Sequence, residues 1–221
     1  MDQPNQQTNV HIRIGSEGRA PLYATVGSAG CDLFAASAIT LLPGECRVVP
    51  LDLVIAIEPG VEAQIRPRSG LSLKTELRIP NAPGTIDSDY RSEVGVLVQN
   101  TFNTSNLLDQ ILLRPQLAAE LAASCQRLPV TEYLAQKGTD PAAIQGLAGK
   151  CPDLAATRIW LDKQGNPYGT IYIQPGDRIA QMVFSRCLQA RFIEHPEPEQ
   201  IGIDRGGGFG STGVRPAGQR P

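Results

Sequence analysis

RVVPLDLVIAI, Arg47–Ile57, decides the fold. Val49, Leu51, Leu53, Ile55 and Ile57 fall on one side of an extended chain, and Val48, Pro50, Asp52, Val54 and Ala56 on the other. Successive side chains of a strand point to opposite faces, so the first set, the more apolar, is the one to bury. Outward from it lie further β-type runs at Val10–Ile14, Glu62–Arg66, Val94–Gln99, Gly169–Ile173 and Ile179–Ser185, with Gly and Pro between them. Short strands with frequent turn signals imply a mainly β fold, a sandwich or barrel.

Composition narrows the function. With 20 Lys+Arg against 22 Asp+Glu in 221 residues, bulk charge favours neither nucleic acid nor a membrane surface as partner. No apolar stretch approaches the ~20 residues that cross a bilayer. The polar start MDQPNQQTN lacks a signal-peptide pattern and reads as a flexible tail over 1–9. A cytoplasmic protein is the expectation. Five cysteines, an odd number without C-x-x-C spacing, point to free thiols. Two histidines, His11 and His195, exclude a His-rich metal centre.

One segment, 104–167, departs from the β grammar. Leu107, Leu108, Ile111 and Leu112 keep helical spacing, and Pro115 should divide the helix. Asp140-Pro141 reads as an N-cap with proline at the first helical position, and Gly149 as a stop. Arg158–Asp162 and Tyr168–Ile173 read as two strands of a hairpin around Lys163–Asn166. Its six acidic and six basic side chains cancel, which gives no support for nucleic-acid binding.

Five motifs carry chemistry: AGCDL (Ala29–Leu33), PRSGL (Pro67–Leu71), GTIDSDYR (Gly84–Arg91), GDRIAQ (Gly176–Gln181) and GGFGSTG (Gly207–Gly213). Asp87 is a carboxylate able to take a proton from water, and Tyr90 a ring able to pack on a sugar. Asp-Ser-Asp is equally ordinary turn chemistry. Arg68, Ser69 and Gly70 offer a cation, a hydroxyl and an amide to phosphate, or a solvated turn. Asp177 and Arg178 read as a surface pair beside a Pro175-Gly176 turn, with Gln181 at the far end of a strand. The glycines around Phe209, with Ser211 and Thr212, allow amides to approach phosphates and a ring to cover a base. The Gly-Lys-Ser/Thr ending of a P-loop is missing.

In this order the five motifs resemble those of the homotrimeric dUTP pyrophosphatases (dUTPases), across the chain outside the tail and the 104–167 insertion. The resemblance implies a dUTPase-like β-barrel or jelly roll over 10–103 and 168–204, interrupted by the helical insertion with its hairpin and followed by a mobile arm, 205–221. It implies Mg²⁺-assisted hydrolysis of dUTP to dUMP and pyrophosphate, limiting uracil in DNA and supplying dUMP for dTMP synthesis. Asp87 is then the catalytic residue that activates water, and Tyr90 underlies the deoxyribose. Asn81 lies beside the uracil, and Gly84 and Gly95 belong to a hairpin that imitates a complementary base. Arg68, Ser69, Gly70 and Gln181 serve phosphates, and Asp32 holds metal-bound waters. Arg205, Phe209, Ser211 and Thr212 match the arm. Sites shared among three chains are also implied.

The chain departs from the family pattern in three places: Arg205 reaches Phe209 through one residue fewer, Ser92 stands where glycine commonly follows the Tyr-Arg pair, and Ser72 replaces an alanine. The insertion suits a protein partner, so a dUTP-responsive regulatory protein is the alternative. A dCTP deaminase-like enzyme fits less well, because the Asp87–Tyr90 motif and the Phe209 arm are dUTPase features.

Overall fold

Alternation along the chain becomes two antiparallel sheets. A computed structural model describes residues 7–204 and Gly206. Its strands are β1 (Val10–Ile14), β2 (Cys31–Phe34), β3 (Ile39–Leu41), β4 (Cys46–Ile57), β5 (Val61–Arg66) and β6 (Leu77–Arg78), then β7 (Gly84–Ile86), β8 (Glu93–Asn100), β9 (Gln126–Pro129), β10 (Arg158–Leu161), β11 (Ile171–Ile173) and β12 (Arg178–Arg186). Helices are α1 (Ser69–Lys74), α2 (Leu107–Leu113), α3 (Gln116–Ser124), α4 (Val130–Gln136), α5 (Pro141–Lys150) and α6 (Pro152–Ala156).

The first sheet runs β1-β4-β8-β6 and the second β2-β12-β5-β7. Between them, Val49, Leu51, Leu53, Ile55 and Ile57 of β4 are buried with Leu33, Ile65, Val94, Val96, Val98 and Met182. This is the face that the alternation selects. Val48, on the opposite face, is 58% exposed. Each large aliphatic side chain taken from water there contributes about 1.5–3 kcal/mol.

The insertion builds a small core of its own from Leu117, Leu121, Leu128, Ala155 and Leu161, all buried. Pro115 separates α2 from α3, as its missing amide dictates. Asp140 accepts from the Ala142 amide at the start of α5, with Pro141 at its first position. Gly149 is not the stop: α5 continues through Lys150 and Cys151 caps it.

The hairpin expected over Arg158–Ile173 is corrected. The turn closes, with Asp162 N donating to Asn166 O at 2.8 Å and Tyr168 N to Trp160 O at 2.8 Å. Its two arms then find other partners: β10 pairs with β9, and β11 with β3. The reason is non-local. The chain leaves α3 extended at Cys125, which turns Gln126–Pro129 into a free edge beside β10. Arg127 then lies over the Trp160 ring, 5.4 Å from its centroid.

Asn100 ties the two flanks of the insertion, Phe102 and Gly169, to the sheets. Fully buried at the end of β8, it donates to Leu41 O at 3.1 Å and Gly169 O at 2.8 Å, and accepts from Phe102 N. Gly169, at φ 91°, lies against the Phe102 ring, where a Cβ would come within 2.2 Å. A second clasp joins the Asp162–Asn166 turn to β11. There the Tyr172 hydroxyl meets Asp162 Oδ2, Asn166 Nδ2 donates to Tyr172 Oη at 2.9 Å, and Lys137 Nζ donates to Asn166 Oδ1 at 3.0 Å.

The chain divides into two compact units that part between Cys187 and Leu188. The sequence reading carries the β domain to 204, whereas the last strand ends at Arg186. In the second unit, Pro198–Gln200 forms a 3-10 turn and Glu197 N donates to His195 Nδ1 at 3.2 Å.

Candidate functional site

Antiparallel pairing lines up the first group of candidate residues. Gln181 of β12 stands between Asp32 of β2 and Arg66 of β5, so Asp32 and Gln181 share one row with the end of β5. Two residues past Arg66, Arg68 turns back across that row. Its Nε donates to Asp32 Oδ1 at 2.8 Å and its Nη1 to Arg178 O at 3.1 Å. Arg178 Nη1 donates to Asp32 Oδ2 at 3.1 Å, and Gln181 Nε2 to Pro67 O at 3.0 Å.

Asp32 therefore holds two guanidiniums while its own side chain is only 13% exposed. Two cations against one carboxylate leave a local positive excess, and the fixed Arg68 fork matches phosphate oxygens. Arg178 is the member that sequence reading misses. Its expected partner, Asp177, instead accepts from Gln174 N at 2.7 Å and closes the turn there. Only the register of β12 against β2 brings Arg178 to Asp32, and no local pattern carries that information.

Arg68 is also the N-cap of α1, a short helix that begins within PRSGL and that the strand-and-turn reading does not anticipate. Leu71 and Ser72 both donate to Arg68 O. Ser69 and Gly70 are exposed in the first turn, where helix amides have no intrahelical acceptor. A Cβ at Gly70 would meet nothing within 4 Å, so packing does not require glycine there.

The second group sits where β7 passes to β8. Asp87, Ser88, Asp89 and Tyr90 form a turn closed by Tyr90 N donating to Asp87 O at 3.1 Å. Turn chemistry and site chemistry therefore coincide. Arg91 Nη1 donates to Ser88 O and Tyr90 O, both at 2.7 Å, and the Tyr90 hydroxyl donates to Glu93 O at 2.8 Å. These bonds leave the Asp87 carboxylate exposed to solvent. Asn81 folds over Gly84, where an added Cβ would lie 3.0 Å from Asn81 Nδ2.

The two glycines expected beside the base stand on different strand ladders. Gly84 pairs opposite Ile65 in the second sheet and Gly95 opposite Pro50 in the first. The Asp87–Tyr90 turn carries the chain from one sheet to the other, so the two glycines share no ladder.

The two groups stand apart. Ile86, just before Asp87, is opposite Ala63, and Arg68 lies five residues further along from Ala63. Along β5 alone, from Ala63 to its end at Arg66, that is roughly 10 Å at ~3.3 Å per residue. Arg205, Phe209, Ser211 and Thr212 lie outside the described residues.

Among the described residues no cluster of three His, Cys, Asp or Glu could hold a metal. No described helix is long and apolar enough to cross a membrane. Next to Asp32, Cys31 is buried, which pushes its thiol pKa up, and it donates to Met182 O at 3.4 Å.

A family model described as dUTPase matches residues 16–107. A deoxyuridine 5'-triphosphate nucleotidohydrolase of Anaeromyxobacter sp. is 47% identical over 119 residues, 50% of this chain and 81% of the relative. A Staphylococcus bacteriophage 80alpha dUTPase solved with dUpNHpp superposes with a TM-score of 0.63 at 20% identity, covering 93% of this chain and 99% of that one. A dUTPase of phage phi11 of S. aureus, with a structural Mg(II) ion, gives 0.58 at 22% identity, covering 86% and 97%. The chain belongs to the dUTPase family.

Proposed function

We propose that this dUTP diphosphatase hydrolyses dUTP to dUMP and pyrophosphate through a water activated by Asp87, which attacks the α-phosphorus. The observation that carries the reading is the turn after β7. It fixes Asp87 in solvent three residues from a tyrosine whose hydroxyl is tied back to the chain. Asp87 accepts the proton of the attacking water, and Tyr90 packs against the deoxyribose. Asn81, Gly84 and Gly95 lie on the uracil side. Arg68, Ser69, Gly70 and Gln181 hold phosphate oxygens, where negative charge grows in the transition state. Arg205, Phe209, Ser211 and Thr212, outside the described residues, are the arm's proposed substrate-binding residues.

The donor set fits a magnesium ion that arrives with the triphosphate. Both Asp32 oxygens already accept from arginines, so Asp32 is suited to a metal-bound water rather than to direct ligation. Bound magnesium would neutralise phosphate charge.

Because Arg68 and Asp87 do not meet within one chain, the complete site forms between copies, with a homotrimer as the proposed assembly and the cytoplasm as its place. The test is pyrophosphate release from dUTP with Mg²⁺, run beside dCTP, dTTP and UTP. Selective cleavage of dUTP supports the reading, and equal or absent cleavage sinks it.

A second role for the insertion is favoured by one observation. Leu108, Leu112 and Leu113 of α2 are 67%, 72% and 83% exposed. They suit a protein partner whose binding responds to dUTP. A chain with 104–167 deleted that keeps turnover and loses a dUTP-sensitive partner would support it.

A further inference from the structure

Tyr90 owes its orientation to a residue outside the five motifs. Its hydroxyl donates to the main-chain oxygen of Glu93, the first residue of β8. The Glu93 side chain points back to β4, where Oε1 accepts from Asp52 N at 3.0 Å. That amide is available because β4 bulges there: the register passes from Pro50↔Gly95 to Val54↔Glu93, leaving extra residues on β4. Asp52 sits in the bulge at φ 49°, a conformation rare for a residue other than glycine.

The bulge is held from its other side as well. Gly15 N donates to Asp52 O at 2.9 Å, and Glu17 N to Asp52 Oδ2 at 3.0 Å. Gly15 makes room for that carboxylate, since a Cβ there would lie 2.0 Å from Oδ1. A continuous chain of hydrogen bonds thus runs from the 15–17 loop through Asp52 and Glu93 to the Tyr90 hydroxyl.

We propose that Glu93 is a positioning residue for sugar recognition, which anchors the start of β8 to the Asp52 bulge and thereby fixes the Tyr90 ring. This rests on the proposed placement of Tyr90 against the deoxyribose. Loosening the anchor lets the ring drift, and a ring that drifts no longer excludes a 2′-hydroxyl. Asp87 belongs to the preceding turn, whose own amide bond and Arg91 contacts do not use the Glu93 side chain.

The test compares the parent with Glu93→Ala, Glu93→Gln and Glu93→Asp. kcat and KM are measured for dUTP and UTP, and calorimetry gives the affinity for non-hydrolysable analogues of each. Glu93→Ala is expected to cut the preference for dUTP about tenfold, raising KM for dUTP more than it lowers kcat. Glu93→Gln keeps the acceptor oxygen and restores the preference. Glu93→Asp, one methylene too short, falls between and serves if the alanine variant does not fold. Parental preference in Glu93→Ala or Glu93→Asp overturns the proposal, as does Glu93→Gln behaving like alanine. A parent with no preference for dUTP is seen before any variant is made, and it removes the proposed function and this inference together.

Discussion

Arg68 and Asp87 stand at opposite ends of one sheet, Arg68 beyond the end of β5 and Asp87 beyond the end of β7 where it pairs with the start of β5. Arg68 is locked onto Asp32 at 2.8 Å, which keeps it from reaching back along the strand. The proposed phosphate-binding cation and the proposed water-activating carboxylate are thus both built by one chain and kept apart by it.

Mixing two inactive variants tests what joins them. If Arg68 of one copy faces Asp87 of another, Arg68→Ala chains mixed with Asp87→Asn chains regain intact sites after unfolding and reassembly. Random pairing of equal amounts gives about a quarter of the parental activity. Activity no greater than the sum of the separate variants would place both residues in one chain's own site.

Asp87→Asn alone removes the proposed proton acceptor and leaves the turn, because Tyr90 N bonds to the main-chain oxygen of Asp87. The expected result is a fall in kcat of about 10³-fold, with the affinity for a non-hydrolysable dUTP analogue changed less than about threefold. Single-turnover kinetics beside calorimetry separate these. An equal loss of binding would mean that Asp87 positions substrate instead.

The sheets were legible because burial follows a period of two. Arg47–Ile57 announces its buried face, and Val49 through Ile57 occupy it. Helix ends were legible where a local rule applies, as at Asp140-Pro141. Features decided by register were not. β9 is invisible until β10 needs an edge, and Arg178 reaches Asp32 only once β12 is laid beside β2. Gly84 and Gly95 fall in different sheets for the same reason. The role of Glu93 depends on a bulge some forty positions away in sequence, at Asp52. Of the candidate site, the motifs show which residue types are present, and the pairing shows which of them meet.

Asn100 should matter to stability far more than an ordinary strand-end residue. Asn100→Ala strips partners from Leu41 O, Gly169 O and Phe102 N in a fully buried place. The expected cost is about 2–4 kcal/mol, seen as a lower urea midpoint. Exposed Asn103, whose side chain accepts only from Ser105 N, is the control, with Asn103→Ala costing about 1 kcal/mol. Equal shifts for the two would show that the Asn100 bonds do not tie the insertion's flanks to the sheets.

Cys31 predicts the alkaline limb of stability. Burial is the largest cause of its raised pKa from the ordinary 9.0; main-chain hydrogen bonds oppose it, and the Asp32 charge adds to it. Below that value folded and unfolded chains both carry the thiol, so Cys31 adds no pH dependence. Above it the unfolded chain ionises first, and stability falls as pH rises towards the folded value. Burial raises Tyr23 above 10.0 in the same direction. Urea midpoints should therefore hold through neutral pH and decline above about pH 9, with a shallower decline in Cys31→Ala. At pH 8 a thiol reagent should modify exposed Cys46 and Cys151 in the folded protein and reach Cys31 only with unfolding. Rapid labelling of Cys31 in the folded chain would contradict both its burial and the origin assigned to the alkaline slope.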